Sequence, residues 1–435
     1  MTPRRFALLG RESCPDAPEG PESNSKEREA ESRFDYRQSS KCGLELLDSK
    51  REFNAVVSLI VARIVYAVNW LNVGAIFVLM GPDLGAGVGG LGSVTSLFYV
   101  GLGLAQVPGG LLAARWGPKK VVVLGTFVSS FAVLGTSVSS SVPEIAALRF
   151  VVGVGMALVF APAVVLVARL FRGGKSGLGV GLFNSAYDAG GLVGIFGWII
   201  IATAIGWRPS LAISGGLGVL TGMLVLLCVP RDEGRTDFVV RAKALTSILG
   251  DRQLILLGFG LLGLAVGNVI IQTFMGYYLV AAYGLSPSTA EAITSMIVLL
   301  PIFTAVIAGR QYDRTARPKL MIVASLVVSS GALLVGAFPS PLAALACSVA
   351  GGVAAGFGYT TAFAGAKDLN KAEQEYDGLA VAWVNCIQLL GSFWPPLVYS
   401  YLVEVAGYSS AWLGSAALST LFVVPLLLMK EGFGR

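Results

Sequence analysis

The sequence predicts an all-α integral membrane protein with twelve transmembrane helices in two six-helix, pseudo-symmetric halves. Its 435 residues are 54% hydrophobic and only 13% charged, which is too apolar for a water-exposed domain and typical of a membrane protein with many spans. Runs of about twenty apolar residues recur, and each is long enough to cross about 30 Å of hydrocarbon as a helix. A segment containing glycine and arginine also occurs twice, starting at Gly110 and at Gly309. Such an internal repeat indicates a duplicated architecture.

The first 53 residues differ in composition from the rest of the chain. They are rich in Ser, Glu, Arg and Pro, and they contain no apolar core of the kind that a cleavable signal peptide needs. We predict that residues 1–53 form a disordered cytoplasmic tail. A misassigned translation start is the alternative for part of this segment.

Twelve apolar segments follow the tail. Proline occurs inside several of them, and the run Trp394-Pro395-Pro396 should distort the eleventh helix most, because proline removes backbone hydrogen bonds. The predicted spans are Asn54–Met80, Leu91–Ala114, Lys120–Ser140, Val142–Leu170, Gly177–Ala204, Pro209–Val229, Gln253–Ala282, Ser288–Gln311, Lys319–Phe338, Pro341–Gly365, Gly378–Glu404 and Tyr408–Met429.

The connections between these spans sort by charge. Those after even-numbered spans carry seventeen Lys and Arg residues, whereas those after odd-numbered spans carry only Arg208. Because positively charged loops stay in the cytoplasm, the asymmetry predicts a multi-pass protein of the cell (plasma) membrane with both termini cytoplasmic. The net charge of +6 is explained by this topology and does not indicate nucleic-acid binding.

The longest interior connection divides the spans six and six. It predicts an N-terminal half at 54–230, a cytoplasmic inter-half loop at 231–252 and a C-terminal half at 253–435. A second landmark supports the duplication, since Gly206 opens the sixth span and Gly407 opens the twelfth. Landmarks in the same order indicate parallel halves, related by an axis along the membrane normal.

The segments after the second and eighth spans resemble the hallmark of the major facilitator superfamily. That hallmark reads Gly-x-x-x-Asp-Arg-x-Gly, followed by basic residues. The pattern Arg149-x-x-x-Gly153-x-Gly155 in the fourth span is also similar to that family. The likeness covers the whole chain after the tail, and it implies the twelve-helix fold of the family and transport by alternating access. The matching hallmark positions are Gly110, Arg115, Gly117 and Lys120 in the first copy, and Gly309, Asp313 and Arg314 in the second.

One hallmark position departs from the family. The acidic residue of the first copy is replaced by Ala114, whereas the second copy retains Asp313. In the family this carboxylate is implicated in latching the cytoplasmic side. We therefore expect Asp313, together with Arg314, to carry a larger share of the gating.

Three charged residues lie inside apolar spans, namely Arg63, Arg149 and Asp188. A charge near the membrane midplane is costly, so it usually faces a protein-lined or water-filled interior and marks a solute or proton pathway. Arg63 and Asp188 lie at similar depth, so an ion pair between them is geometrically reasonable. That pair either fixes helix packing or is opened by a proton or an anionic solute. Arg149 either binds a carboxylate or acts as a strut to backbone carbonyls.

Side-chain amides are uncommon in apolar spans, because each amide must find hydrogen-bond partners there. The repeat offsets match Asn69 with Asn268, and Asn184 with Asn385, which would place four amides around a central cavity. Bridging between helices is the competing interpretation. The full set of candidate amides is Asn69, Asn72, Asn184, Asn268, Gln272, Asn385 and Gln388.

These residues favour a secondary active transporter of a small organic solute. Two arginines against one carboxylate make an anionic solute the first choice, and a proton is the expected coupling ion. Proton-driven efflux of apolar or cationic compounds is the alternative, followed by sugar uptake. A non-transporting sensor or intramembrane enzyme is the alternative from another class.

We expect no enzyme activity, cofactor, metal or disulfide, because the chain has no histidine and no Cys-x-x-Cys spacing. We expect a monomer in the lipid bilayer.

Overall fold

A computed structural model describes residues 50–171, 176–230, 242–314, 317–370 and 377–430 of the chain. The predicted tail lies outside the described residues except for 50–53, and so does the part 231–241 of the predicted inter-half loop. The rest of that loop contains the short helix Ala242–Leu249. The described part of the chain folds into helices, and no strand occurs in it. The side chains of the site residues predicted above all fall within this part.

Eleven helices in the described part are long and apolar enough to cross a membrane. The last of them, at 50 residues, is about twice as long as one crossing requires. Gly407 interrupts it with non-helical backbone (φ 80°), so this helix contains the eleventh and twelfth spans. The twelve-span prediction is thereby confirmed. The helices are Lys50–Asp83, Val88–Trp116, Pro118–Val138, Val142–Leu170, Gly181–Ile205, Trp207–Cys228, Arg252–Tyr283, Pro287–Arg314, Pro318–Gly336, Pro341–Asp368 and Gly378–Leu427.

Several spans are interrupted where the sequence disfavours a regular helix. The eighth span consists of Pro287–Thr294, Met296–Leu299 and Pro301–Arg314, because Pro301 cannot donate the hydrogen bond that would continue the helix. The eleventh breaks just before Trp394, as the sequence predicted. The fifth contains a π-helical turn, Val193–Gly197, a distortion that often marks functional segments.

The two halves repeat the same helix-capping contact. Lys119, in the first turn of the third span, donates from Nζ to the carbonyl of Val229 at the end of the sixth. Lys319, in the first turn of the ninth, donates to the carbonyls of Leu427 and Met429, at 3.0 and 2.6 Å. An ammonium group at a helix C-terminus satisfies free carbonyls and complements the helix dipole. The two copies of the hallmark segment therefore share not only sequence but also the same lysine-to-carbonyl contact.

These lysine contacts define one face of the bundle, which we call the basic face; residues 50 and 430 also lie there. The opposite face carries a different set of contacts. There Trp207 donates from Nε1 to Oδ2 of Asp83 at 2.8 Å. Arg208 binds the same carboxylate oxygen at 3.1 Å. These bonds join the ends of the first and sixth spans within the N-terminal half.

The two halves approach each other closely toward the opposite face. A methyl group at Gly92 of the second span would overlap the hydroxyl of Ser400 in the eleventh. The rings of Phe77 and Tyr277, at the ends of the first and seventh spans, lie 6.1 Å apart. At the basic-face end of the second span, by contrast, a methyl group at Gly110 would meet no heavy atom within 4 Å. The structure is therefore closed on the opposite face.

Candidate functional site

Arg63 of the first span lies in a box of four aromatic rings. Its side chain is only 6% exposed. The guanidinium carbon lies 4.6 to 5.0 Å from the ring centroids of Tyr66, Phe160, Phe183 and Tyr187. These rings come from the first, fourth and fifth spans. A desolvated cation over aromatic faces gains roughly 2 kcal/mol or more in favourable cases, so the rings partly replace the water that the guanidinium has lost.

The Arg63 guanidinium retains unused hydrogen-bond donors. Its Nε and Nη1 are buried and have no partner in the structure. Aromatic rings satisfy positive charge, but they do not provide the in-plane acceptors that a guanidinium fork prefers. A buried polar group without a partner is costly, and it commonly indicates a missing ligand, ion or water. The free donors have the geometry to bind a carboxylate or another oxyanion.

Asp188 lies on the fifth span, close to Arg63, but the two side chains do not form an ion pair. The two helices pack together as expected, since Gly190 contacts the backbone of Ile64. Among the described residues, however, no nitrogen of Arg63 comes within the 4.0 Å of an Asp188 oxygen that defines an ion pair. The neighbouring residue, Tyr187, places its ring against the guanidinium instead. The sequence left open whether Arg63 pairs with Asp188; in the structure Arg63 is surrounded by four aromatic rings instead.

Arg149 is a strut between helices. It donates from Nη1 to the carbonyl of Asn69 at 2.8 Å and from Nη2 to the carbonyl of Trp70 at 2.9 Å. Its guanidinium also lies 4.3 Å from the ring centroid of Phe98. Of the two roles that the sequence left open, the structure shows the strut. Two of its nitrogens are occupied by backbone, so the expectation of Arg149 as a solute-binding residue is not supported by its contacts.

Asn69 and Asn72 join the first span to the sixth through one hydroxyl. Asn72 donates from Nδ2 to Ser214 Oγ at 3.0 Å, and Ser214 in turn donates to Oδ1 of Asn69. All three side chains are buried. Both amides therefore bridge the first and sixth spans, which is the competing interpretation given above. Sequence spacing gave the correct helix face but could not identify the serine partner.

The remaining amides lie in different environments. Gln272 and Asn385 are buried, Asn268 is partly exposed, and Asn184 is exposed. Gln388 donates to Ser392 Oγ within its own helix at 3.3 Å. That the four matched amides surround a central cavity stays a prediction.

A cluster of rings, which sequence reasoning largely missed, connects Arg63 to Arg149. Trp70 lies at its centre, with its ring 5.0 to 5.9 Å from the rings of four neighbours by centroid distance. The signal was present in the spacing of Arg63, Tyr66 and Trp70, which share one face of the first span. The four neighbours are Tyr66, Phe98, Tyr99 and Tyr187.

The hallmark segments lie at the basic face. Gly117 has a φ of 91°, a conformation in which other residues are strained, and it makes the turn between the second and third spans. Lys119, which sequence reasoning did not single out, is the buried member of the basic cluster. Gly309 is partly exposed, and the other predicted gating residues are exposed, namely Gly110, Arg115, Lys120, Asp313 and Arg314.

A twelve-span bundle with repeated halves, closed at one face and with a guanidinium buried in its interior, has the architecture of a solute carrier. The chain belongs to the Major Facilitator Superfamily, whose family model matches residues 59–279 and again residues 257–433. It is a membrane transporter and not an enzyme. The resemblance predicted from the hallmark residues is confirmed.

Curated relatives and solved structures are similar along most of the chain. A probable sulfoacetate transporter of Cupriavidus necator is 25% identical over 83% of this chain and 91% of its own length. A nitrite extrusion protein of Bacillus subtilis is 23% identical, over 83% and 89%. The crystal structure of a D-xylose-proton symporter superposes with a TM-score of 0.71 at 14% identity, covering 88% of this chain and 99% of the other. The last likeness shows the fold alone.

Proposed function

We propose that the protein is a secondary active transporter of a small organic anion, and that Arg63 binds the anionic group. The observation that carries the proposal is the buried guanidinium with free Nε and Nη1. A membrane-embedded cation without a counter-ion is costly, so a bound carboxylate or sulfonate stabilises the site. The two curated relatives described above are named for sulfoacetate and nitrite, which are both anions.

The rest of the solute would face polar groups of the C-terminal half. Asn268, Gln272, Asn385 and Gln388 offer both donors and acceptors there. Of the N-terminal amides, Asn184 is available, whereas Asn69 and Asn72 are engaged with Ser214. We propose that Arg63 anchors the anion and that the C-terminal amides distinguish one organic anion from another.

A proton is the coupling ion that the site favours. Asp188 lies near Arg63 without forming an ion pair with it, so an ionised Asp188 offsets part of the positive charge that would attract an anion. Protonation of Asp188 leaves Arg63 uncompensated and strengthens anion binding. We propose symport of the proton with the anion, because the ionised Asp188 and the anion compete for the positive charge of Arg63 and a proton on Asp188 removes this competition.

The location of the two faces completes the proposal. The basic face carries the positively charged connections, so we assign it to the cytoplasm and assign the protein to the plasma membrane. The structure then represents a carrier closed toward the outside. Alternating access would open the opposite face and close the basic face around Asp313 and Arg314. We propose that the monomer is the transporting unit.

A thermal-shift screen of purified protein tests the anion site. The panel contains acetate, sulfoacetate and nitrite, with neutral D-xylose as a control, because a ligand that binds the folded state raises the melting temperature. We expect an anion to stabilise the wild type and to lose that effect in Arg63→Gln. Arg208→Gln, which removes a partly exposed arginine at the opposite face, should respond like the wild type.

Transport is then measured in liposomes with the stabilising anion. Counterflow of the labelled anion and its dependence on a pH gradient should both be present in the wild type, and the pH dependence should be absent in Asp188→Asn. If only apolar cations stabilise the protein and Arg63→Gln leaves their effect intact, the efflux alternative replaces this proposal.

A further inference from the structure

Glu291 is a second buried carboxyl group, and the proposed function does not use it. It lies in the helical segment Pro287–Thr294 at the start of the eighth span, near the opposite face, and its side chain is 2% exposed. The segment is fixed by its N-cap, since Ser286 Oγ accepts from the Thr289 amide at 3.2 Å. Asp188 lies in the other half of the protein, so Glu291 is a separate site.

The seventh span provides a recess for this carboxyl group. The side chain of Glu291 lies against Gly276, where any Cβ would overlap Oε1. An ordinary side chain at 276 would therefore displace the carboxyl group. The recess exists because residue 276 has no side chain.

The carboxyl group has no counter-ion in this recess. Its Oε2 has no hydrogen-bond partner. The helices packed against the segment are the fifth, seventh and tenth spans and the rest of the eighth. Their titratable groups nearest this end are the phenols of Tyr277, Tyr278 and Tyr283 and the thiol of Cys347, none of which is a cation. Among the described charged side chains of these helices, Asp188 lies within the fifth span and is an acid, not a cation. The others lie toward the basic face, namely Arg252, Arg310, Asp313, Arg314, Lys367 and Asp368.

An ionised carboxylate in such a place would be buried and unpaired, which costs several kcal/mol or more. A bound proton removes that cost and supplies a donor. We propose that Glu291 is a proton-binding site, protonated in the state that is closed on the opposite face. It gives up the proton when the start of the eighth span separates from Gly276 and water reaches the carboxylate.

The position of this segment connects proton binding to the movement of the halves. Pro287–Thr294 packs against the π-helical turn of the fifth span, which belongs to the other half. That turn packs in turn on the first span, where Gly194 contacts Val68. Loss of the proton at Glu291 therefore acts on an interface that must open during transport. This inference does not depend on which solute binds at Arg63.

Infrared spectroscopy of the purified protein in lipid nanodiscs tests the proposal without any solute. A protonated carboxylic acid has a carbonyl stretching band that an ionised carboxylate lacks. Asp188 is the other carboxyl group proposed to bind a proton, so every protein in this test carries Asp188→Asn. We expect the Asp188→Asn protein at neutral pH to show this band, and the double variant with Glu291→Gln to lack it. A band that survives in the double variant would overturn the assignment.

Thermal unfolding provides an independent test of the neutral state. Gln resembles a protonated Glu in shape and polarity, so Glu291→Gln should melt close to the wild type, whereas Glu291→Lys should melt well below both. Gly276→Ala should also lower the melting temperature, and adding Glu291→Ala to it should restore part of the loss. If Glu291→Gln is as unstable as Glu291→Lys, or if sodium stabilises the wild type and not Glu291→Gln, the carboxyl group is ionised and the proposal fails.

Discussion

Single residues show how differently two buried arginines can be used. Arg149 donates from Nη1 and Nη2 to backbone carbonyls of the first span and has only Nε without a partner. Arg63 lies among four rings, and both its Nε and its Nη1 lack a partner. Removing a hydrogen-bonded buried group leaves its partners unsatisfied, whereas removing an unpaired buried charge relieves a cost. The two positions should therefore respond in opposite ways to the same substitution.

Arg149→Gln should destabilise the protein and leave anion affinity unchanged. It removes two charge-assisted hydrogen bonds, each of which contributes about 1.5–3 kcal/mol in favourable cases. Thermal unfolding should show a lower melting temperature, and titration of the folded fraction with the stabilising anion should give the wild-type dissociation constant. A weaker anion affinity with an unchanged melting temperature would show that Arg149 binds solute after all.

Arg63→Gln should retain the wild-type melting temperature or exceed it in the absence of anion, because it removes a buried charge whose Nε and Nη1 have no hydrogen-bond partner. The same variant should lose anion binding by at least about tenfold, which corresponds to 1.4 kcal/mol. Isothermal titration and thermal unfolding measure the two effects separately. Arg63→Lys is informative, since an ammonium keeps the charge but loses the fork.

The amides of the first span show which part of a site the sequence can predict. The sequence indicates that Asn69 and Asn72 need partners, because bare amides are costly in an apolar span. It does not indicate whether a solute or Ser214 supplies them, since the serine lies about 140 residues away in the chain. The sequence also could not predict that Nε and Nη1 of Arg63 lack partners, because this depends on rings that three different helices place around the guanidinium.

The helices were predicted from the sequence more completely than the contacts of the site residues were. The number of spans, their order and the duplication depend on apolar length and on repeated landmarks, and both can be read locally. The predicted boundaries differ from the helices by a few residues, as in the first span, which was predicted to begin at Asn54 and begins at Lys50. The π-helical turn of the fifth span was not predicted, since it depends on packing against the first span.

Two glycines with positive φ, at the starts of the sixth and twelfth spans, allow the predicted duplication to be tested by substitution. Gly206 has a φ of 90° and a ψ of 155°, and Gly407 a φ of 80° and a ψ of 173°. A residue with a Cβ costs of order 1–3 kcal/mol in that essentially glycine-only region. Gly206→Ala should therefore lower the melting temperature. Gly216→Ala is the matched control, because Gly216 lies within the same span and a methyl group there meets no atom within 4 Å.

The result expected for Gly216→Ala is no loss, or a small gain, because alanine is the better helix former. Equal melting temperatures for the two variants would contradict the assignment of Gly206 and Gly407 as required landmarks of the repeat.

At the scale of the whole molecule, the closed face depends on small residues between the halves. Gly92 lies against Ser400 so closely that a side chain there would act as a wedge. Gly92→Leu should hold the opposite face open and raise the labelling of a cysteine placed at Gln272 by a membrane-impermeant maleimide. The experiment uses a background in which the five native cysteines are replaced.

Gly216→Leu should leave that labelling at the background level, because its site is away from the interface. Equal labelling of the Gly92→Leu and background proteins would show that the opposite face is not the closed gate.

Hydrophobic patterning, loop charge and two repeated segments were sufficient to predict the family architecture, which the family model confirms. The chemistry of the site was only partly accessible, because it arises where helices that are distant in sequence meet. Arg63 was predicted to be a site residue because a charge inside an apolar span is costly. The four rings around it come from three helices, so the sequence alone did not predict them.

The most direct measurement is an experimental structure of the protein with the anion that gives the largest thermal stabilisation. An anion oxygen is expected within hydrogen-bond distance, about 2.7–3.2 Å, of Nε or Nη1 of Arg63, with the aromatic box still closed around the guanidinium. An anion held elsewhere, with those nitrogens of Arg63 still unoccupied, would contradict the central claim.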